Sequence, residues 1–124
     1  MKFNSQICTD KNQSERLLAL GLKKETADMS IGHTGLLYPY PHREEEDRVF
    51  IPAWSLDRLR ELIPENIFTG VRNQWHRVMY NGVLTYEEGD DSLVSFREAN
   101  IYDRCVSCIE WLIKEGYFNK EYLV

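Results

Sequence analysis

The residues most suggestive of chemistry are two cysteines near the end of the sequence, in the stretch DRCVSCIEWL. Cys105 and Cys108 form a C-x-x-C pair, a spacing found in redox dithiols and in half of many zinc sites. A redox pair gains reactivity from a helix N-terminus, yet Cys105 lies about five residues past the predicted cap at Asn100, where the dipole is weak. Helical residues three apart also share a face, here with Ile109 and Leu112. The sequence therefore predicts that both cysteines are buried apolar residues of a closing helix.

A metal site is an alternative interpretation of the pair, and it needs further ligands. Structural zinc is held by four ligands, often supplied as two close pairs. The other thiol and imidazole ligands stand singly in the sequence: Cys8, His33, His42 and His76. Cys105 and Cys108 are therefore weak metal candidates, and we expect no cofactor.

The sequence shows no arrangement typical of an active site. No Ser, Thr or Cys lies in the setting of a nucleophile, and the acidic runs EEED and GDD are typical of solvated loops. We expect no catalytic residue, although an enzyme around the C-x-x-C remains an alternative.

The stretch VRNQWHRVMY has the composition of a single-strand nucleic-acid surface. Arg72, Trp75, His76 and Arg77 combine cations with stacking rings. Alternation along a strand would divide these residues between two faces, and the formal net charge of −5 opposes phosphate-rich partners. Nucleic-acid binding is therefore the alternative, and an ordinary half-buried strand is favoured.

The segments GLLYPYP and IPAWS contain the best candidates for a partner surface, namely Tyr38, Tyr40 and Trp54. Tyrosine and tryptophan are enriched at interface hot spots, and prolines hold a loop extended at low entropic cost. The same three residues could instead pack beneath the loop, and the sequence does not decide between these readings.

Length and composition bound the class of protein. A chain of 124 residues that is 43% hydrophobic fits one globular domain spanning 1–124. Apolar runs are too short to cross a membrane, and the first residues lack the apolar core of a secretory signal. An odd number of cysteines also argues against a disulfide framework, so we expect a cytoplasmic protein without membrane association.

Three helices are predicted from their ends. The first begins at an N-cap at Thr9 and ends before Gly21, which with Leu17 and Leu22 suits a Schellman ending. The second follows an N-cap at Ser55 and stops at Pro64. The third runs from about 101 to 115, between Asn100 and Gly116.

Strands are predicted around turn residues. Asn81-Gly82 between β-rich runs predicts a type I′ hairpin with Tyr80 opposite Val83, followed by a third strand at 92–96. A second hairpin is expected between 36–38 and 49–51. The sum is an α+β fold: an antiparallel sheet, made of a three-stranded meander plus this hairpin, covered on one face by about three helices.

Read in order, the stretches GLKKETADM, IPAWSLDRLRELIP and DRCVSCIEWLIKEGY resemble a group of small proteins of Bacteroides-type gut bacteria and their prophages or mobile elements. The similarity spans most of the chain, and ETADM with PAWSL is its distinctive part. That pattern has a methionine where Cys108 stands, which suits a buried slot. The resemblance implies no activity or site residue, but it implies an accessory protein of a phage or mobile element.

These observations favour a non-enzymatic module that binds another protein through the aromatic loop and a sheet edge. The partner is not identified by the sequence, and a homo-oligomer is left open.

Overall fold

The computed structural model describes residues 6–32, 34–41, 50–70 and 73–124. These residues form an α+β fold with three α-helices and two antiparallel sheets, which confirms the predicted class. Two compact units are present: Met1–Arg60 with Lys120–Val124, and Glu61–Asn119. The single domain stays a prediction. None of the helices in the described ranges is long and apolar enough to cross a membrane.

The sheet of the first unit has three strands in the order β2-β1-β3: β1 (Met29–Gly32), β2 (Leu37–Tyr38) and β3 (Phe50–Ala53). The predicted pairing of 36–38 with 49–51 is wrong, because both segments pair with β1 instead. All four residues of β1 are buried. A short strand buried on both faces has no apolar–polar alternation, which is why the sequence pattern did not reveal it.

Helix α1 (Lys11–Ala19) begins one residue later than predicted, with Asp10 rather than Thr9 as its N-cap. The Asp10 carboxylate accepts a hydrogen bond from the backbone N–H of Gln13 at 2.7 Å, and the Gln13 side chain accepts one from the backbone of Asp10 at 2.9 Å. This reciprocal capping box satisfies two of the donors that a helix N-terminus leaves without partners.

The predicted Schellman ending of α1 is confirmed. Gly21 has a φ of 99° and its N–H donates to Leu18, while the N–H of Leu22 donates to the carbonyl of Leu17. Leu17 and Leu22 are both buried. After this turn, Leu22 forms an isolated antiparallel β-bridge with Leu123.

Trp54 is held at the centre of the first unit by its backbone and its ring. Its side chain is fully buried, and its indole N–H donates to the Thr26 hydroxyl at 3.0 Å. Its backbone N–H donates to the Thr9 hydroxyl at 3.0 Å, and its carbonyl accepts the Thr9 N–H at 2.9 Å. Thr9 therefore fastens the start of the chain to Trp54 instead of capping α1.

A second set of hydrogen bonds joins the same two segments beside Trp54. The Asp28 carboxylate accepts hydrogen bonds from the backbone N–H of Ser55 at 2.8 Å and from its hydroxyl. Arg58 donates through Nε to the carbonyl of Thr26 at 2.7 Å. Ser55 caps α2 (Leu56–Leu62), as predicted, by accepting the N–H of Arg58. The stretches ETADM and PAWSL thus form one hydrogen-bonded network.

The second unit contains a four-stranded sheet in chain order: β4 (Asn66–Phe68), β5 (Gln74–Tyr80), β6 (Val83–Glu88) and β7 (Asp91–Phe96). The predicted meander is confirmed in β5 to β7, whereas the three-residue β4 was not predicted. Val83 to Tyr86 are all buried, although alternate residues of a strand point to opposite faces. Strand β6 is therefore covered on both faces, not on one as expected.

The hairpin at Asn81-Gly82 has the predicted register but a different turn. Tyr80 lies opposite Val83, and Arg77 lies opposite Tyr86. Gly82 has a φ of 77°, but Asn81 does not have a positive φ. Type I′ requires positive φ at both positions, so these signs fit a type II turn.

Helix α3 (Ile101–Glu115) is confirmed with both its caps, Asn100 and Gly116. It packs on β6 and β7. The ring of Trp111 stacks on Tyr86 at 6.3 Å and meets Phe96 edge-on at 6.4 Å. These rings fix the face of α3 that covers the sheet.

Replacing Thr26 by Val should lower the free energy of unfolding by about 1–3 kcal/mol, because it leaves the buried indole N–H of Trp54 without an acceptor. Urea denaturation of the variant and the wild type measures this difference. Thr34→Val, at an exposed position, is the matched control and should change stability by less than about 0.5 kcal/mol. An equal effect of both substitutions would contradict the role assigned to Thr26.

Replacing Asn81 by Pro should leave the hairpin intact and change stability by less than about 1 kcal/mol, because proline fixes φ near −65° and is common at this position of a type II turn. Gly82→Ala should be the more destabilising substitution, since an L-residue is strained at a positive φ. Urea denaturation with circular dichroism checks both variants. Unfolding caused by Asn81→Pro would contradict the type II assignment.

Candidate interaction surface

The structure places Cys105 and Cys108 in the core between α3 and the sheet. Both side chains are fully buried, together with Ile109 and Leu112 on the same helix face, as predicted. Burial raises the pKa of the Cys108 thiol well above its usual value, Cys105 raises it further, and Arg77 partly opposes the shift. A buried neutral thiol is a poor nucleophile and a poor metal ligand. The pair therefore has a packing role in this structure.

The described residues contain no cluster of three or more His, Cys, Asp or Glu side chains that could hold a metal ion. Cys8 is buried among apolar residues of the first unit, including Met29 and Ile31. His33 and His42 lie outside the described residues. Within the described ranges, the side chains near Cys105 and Cys108 thus do not complete a zinc site.

The candidate nucleic-acid residues do not share one surface. His76 follows Trp75 and precedes Arg77 on β5, so its side chain lies on the opposite face of the sheet. The Arg77 guanidinium donates to the carbonyl of Ile63 at 2.7 Å, and the Trp75 indole donates to the Thr69 hydroxyl at 2.9 Å. Arg72 lies outside the described residues. The described strand therefore does not assemble a track of cations and rings.

The prediction of Trp54 as a partner-binding residue is wrong. Its side chain has no exposed area, because the ring fills the core of the first unit and its N–H is bound by Thr26. Of the three aromatic candidates, only Tyr38 and Tyr40 reach the surface: Tyr38 is half-buried and Tyr40 is 47% exposed. Of these three aromatic residues, Trp54 alone is completely buried, as the alternative of packing beneath the loop required.

Tyr38, Tyr40 and Phe50 form a row of three rings. The ring centroids of Tyr38 and Tyr40 are 5.6 Å apart, and those of Tyr38 and Phe50 are 5.4 Å apart with nearly perpendicular planes. These distances and tilts are favourable for aromatic pairs. Phe50 was not predicted as a site residue, because it contacts Tyr38 only when β2 and β3 both pair with β1.

Small residues of β1 make room for this row. A Cβ atom on Gly32 would lie 3.0 Å from Cε2 of Tyr38, so the tyrosine ring rests directly against the glycine backbone. The buried Ser30 hydroxyl donates to the carbonyl of Tyr40 at 3.0 Å. The N–H of Gly32 donates to the carbonyl of Leu36 at 2.8 Å. The segment that holds the rings is therefore fixed at both of its ends.

The residues around β2 leave apolar side chains in solvent. Leu36 is 61% exposed and Leu37 is 44% exposed, and β2 is an outer strand among the described strands of its sheet. We call Leu36 to Tyr40 the uncharged edge. It lies in the longest stretch of the sequence without Asp, Glu, Lys or Arg, from Met29 to His42, in a chain that is 28% charged. Depletion of charge and enrichment in tyrosine characterise the buried centres of protein interfaces.

A cavity of about 460 Å³ lies next to the row of rings, and Phe50 belongs to both. Its volume is within the range of sites that hold small molecules or side chains. Most of its lining is apolar, with two charged residues of a 3₁₀ turn at Lys24–Thr26; the lining residues are Lys24, Glu25, Ala27, Met29, Pro41, Phe50 and Pro52. Phe50 therefore belongs both to the three contacting rings and to a concave, mostly apolar site.

Raising the pH above about 9 should lower the free energy of unfolding, because the unfolded chain releases the Cys108 proton near the usual pKa of 9.0 while the folded chain retains it. The full slope is about 1.4 kcal/mol for each pH unit between the two pKa values. Urea denaturation between pH 8 and about pH 10 measures it.

Cys108→Ala should lower stability at pH 7 by about 1 kcal/mol and make this alkaline decline shallower. Ser107→Ala, at the half-buried neighbouring position, should keep the wild-type slope. Equal slopes in wild type and Cys108→Ala would show that the thiol is not the group responsible.

Comparison with models of known protein families, with curated proteins and with solved structures finds no match to this chain. The resemblance of ETADM and PAWSL to proteins of gut bacteria and their prophages therefore stays a prediction. In the structure these two stretches form the hydrogen-bonded network around Trp54, in the core of the first unit. The uncharged edge and the residues beside it are therefore the features from which a function is inferred.

Proposed function

We propose that the protein is a non-enzymatic module that binds another protein through the uncharged edge. The carrying observation is that Leu36, Leu37 and Tyr40 remain about half exposed in and beside β2, inside a stretch without Asp, Glu, Lys or Arg. Exposed apolar side chains grouped in one short segment support an interaction site on a globular protein. Because alternate residues of a strand point to opposite faces, Leu37 and Tyr38 present their side chains on the two sides of this edge. The ring of Tyr38 contacts both Tyr40 and Phe50, and Phe50 also lines the cavity.

The size of the surface sets the strength of the interaction. A fully buried aromatic side chain covers roughly 150–250 Å², so three half-exposed large side chains offer on the order of 300 Å². At about 25 cal/mol per Å², their burial would contribute roughly 7 kcal/mol before the entropic cost of association is subtracted. Apolar burial at the uncharged edge alone therefore supports weak binding, and tighter binding requires hydrogen bonds or the cavity.

The cellular setting is part of the proposal. All three cysteines are free thiols buried in the core, which suits a reducing compartment such as the cytoplasm. The resemblance to prophage and mobile-element proteins supports an accessory role there.

The uncharged edge is tested by capture of partners from lysate of the native host, with cross-linking and mass spectrometry. Leu37→Ser and Tyr40→Ser should each reduce recovery of the partner at least about tenfold, because each removes apolar area from the centre of the surface. Phe68→Ser and Tyr80→Ser are matched controls, since these residues are 65% and 52% exposed in the other unit. Loss of the partner in the controls, with retention in the Leu37 and Tyr40 variants, would refute the proposal.

The salt dependence of binding separates this function from nucleic-acid binding. Affinity for the captured partner should change less than about threefold between 50 and 500 mM salt, because the uncharged edge has no ion pairs to screen. Binding to single-stranded DNA or RNA would instead fall steeply over the same range. Titration at the two salt concentrations distinguishes them, and a steep loss would contradict the uncharged edge as the binding surface.

A further inference from the structure

We propose that the cavity beside Phe50 binds a small organic cation, namely an amine with an apolar body whose ammonium group pairs with the Glu25 carboxylate. Every residue that lines the cavity belongs to the first unit. The inference goes beyond the proposed function, because its ligand is a small molecule and its binding does not require a protein partner at the uncharged edge. The shape of the cavity, the position of Glu25, the charges of the lining and its apolar groups support the proposal.

Strand β3 supplies one wall of the cavity. Phe50 and Pro52 line it, whereas Ile51 between them packs against the apolar cluster on the other face of the sheet. The Cα partners of Phe50 and Pro52 in β1 are Gly32 and Ser30. Because these two residues have the smallest side chains that the ladder could offer, they leave room on the face where Phe50 and Pro52 lie.

The 3₁₀ turn supplies a second wall, on which Glu25 and Ala27 line the cavity. Thr26 between them is turned inward, where its hydroxyl accepts the indole N–H of Trp54 at 3.0 Å. The carbonyl of Thr26 accepts a hydrogen bond from Nε of Arg58 at 2.7 Å. The backbone that carries Glu25 is therefore held by the network around Trp54 before any ligand binds.

The charges of the lining favour a cation. In the described ranges, no hydrogen bond or ion pair joins the Glu25 carboxylate to another side chain, whereas Lys24 already has an interaction partner. The chain also has a formal net charge of −5, and such a field attracts positively charged ligands. The available charge at the cavity is thus the negative charge of Glu25.

The apolar lining requires that the rest of the ligand be uncharged. Ala27, Met29, Phe50 and Pro52 present apolar groups, so a second charge deep in the cavity would lose hydration without gaining a partner. Glu25 is exposed, and an ammonium group beside it can remain partly hydrated. The volume of about 460 Å³ lies in the lower part of the range for small-molecule sites. An amine with one aromatic ring therefore fits the site.

The test uses three molecules of similar size that differ in charge: 2-phenylethylamine, 2-phenylethanol and phenylacetate. Each is titrated into the full ¹⁵N-labelled chain, and amide shifts in the NMR spectrum locate the ligand. The amine should shift the amides of Ala27 and Phe50 with a Kd on the order of 1 mM. At about 20 mM salt it should bind about threefold more tightly than the alcohol and about tenfold more tightly than phenylacetate.

Two results of this titration overturn the proposal. One is that no amine binding is detected, or that phenylacetate binds most tightly. The other is that the amide shifts caused by the amine are confined to the second unit.

Glu25→Gln removes the charge but keeps the shape of the side chain, so the amine and the alcohol should then bind equally. Glu15→Gln, at an exposed position of α1, is the matched control and should retain the preference for the amine. Ala27→Leu, which fills part of the cavity, should weaken amine binding at least about fivefold, and urea denaturation checks that this variant is folded. A preference for the amine that persists in Glu25→Gln overturns the role of its carboxylate.

L-Phenylalanine distinguishes a cation from a zwitterion at the same site. It should bind more weakly than 2-phenylethylamine, because its carboxylate would lie near that of Glu25. Tighter binding of phenylalanine would assign the site to an amino acid bound through both Lys24 and Glu25, and it would overturn the proposal.

The amine site and the uncharged edge can be tested separately. Leu37→Ser should abolish capture of the protein partner and leave amine binding unchanged, since Leu37 does not line the cavity. Glu25→Gln should have the opposite effects. Capture of a partner through Leu37 without any amine binding would refute this inference alone, and amine binding without a captured partner would refute the proposed function alone.

Discussion

The first unit depends on how Trp54 is held. A buried indole must satisfy its N–H, and here Thr26 accepts it while Thr9 binds the tryptophan backbone on both sides. Asp28 then fixes Ser55, which begins α2. Segments that are far apart in sequence are joined by these few bonds, so a large aromatic side chain can be buried without an unsatisfied polar atom.

Residues of this network maintain the fold and are at least partly buried, whereas other residues of the first unit remain exposed to solvent. The distinctive stretches ETADM and PAWSL make their contacts inside the first unit. The two cysteines of the C-x-x-C pack between α3 and its sheet. The uncharged edge is different, because Leu36, Leu37 and Tyr40 remain partly in solvent although the backbone around them is fixed by Ser30 and Gly32. A segment whose backbone is already held by hydrogen bonds loses less conformational entropy when it binds than a free loop does.

Most features that nearby residues determine were predicted correctly, although the N-cap of α1 is Asp10 rather than Thr9 and the turn at Asn81-Gly82 is not type I′. The caps of α3 at Asn100 and Gly116, the Schellman ending at Gly21 and the register around Asn81 follow from nearby residues, and all are present. Prediction failed where distant segments decide. Strand β1 has no alternating pattern because every residue in it is buried, and without β1 the partners of β2 and β3 were assigned to each other.

The same distinction applies to the candidate site. Tyr38 and Tyr40 could be nominated from composition, but the burial of Trp54 and the contribution of Phe50 depend on tertiary pairing that no local pattern reveals. The lack of charge from Met29 to His42 was readable in the sequence and is the signal that would have marked the uncharged edge. The most direct test is hydrogen–deuterium exchange of the chain with and without its captured partner. We expect slower exchange at Leu37 and Tyr40 with unchanged exchange in β5, and slower exchange in β5 alone would contradict the proposed binding surface.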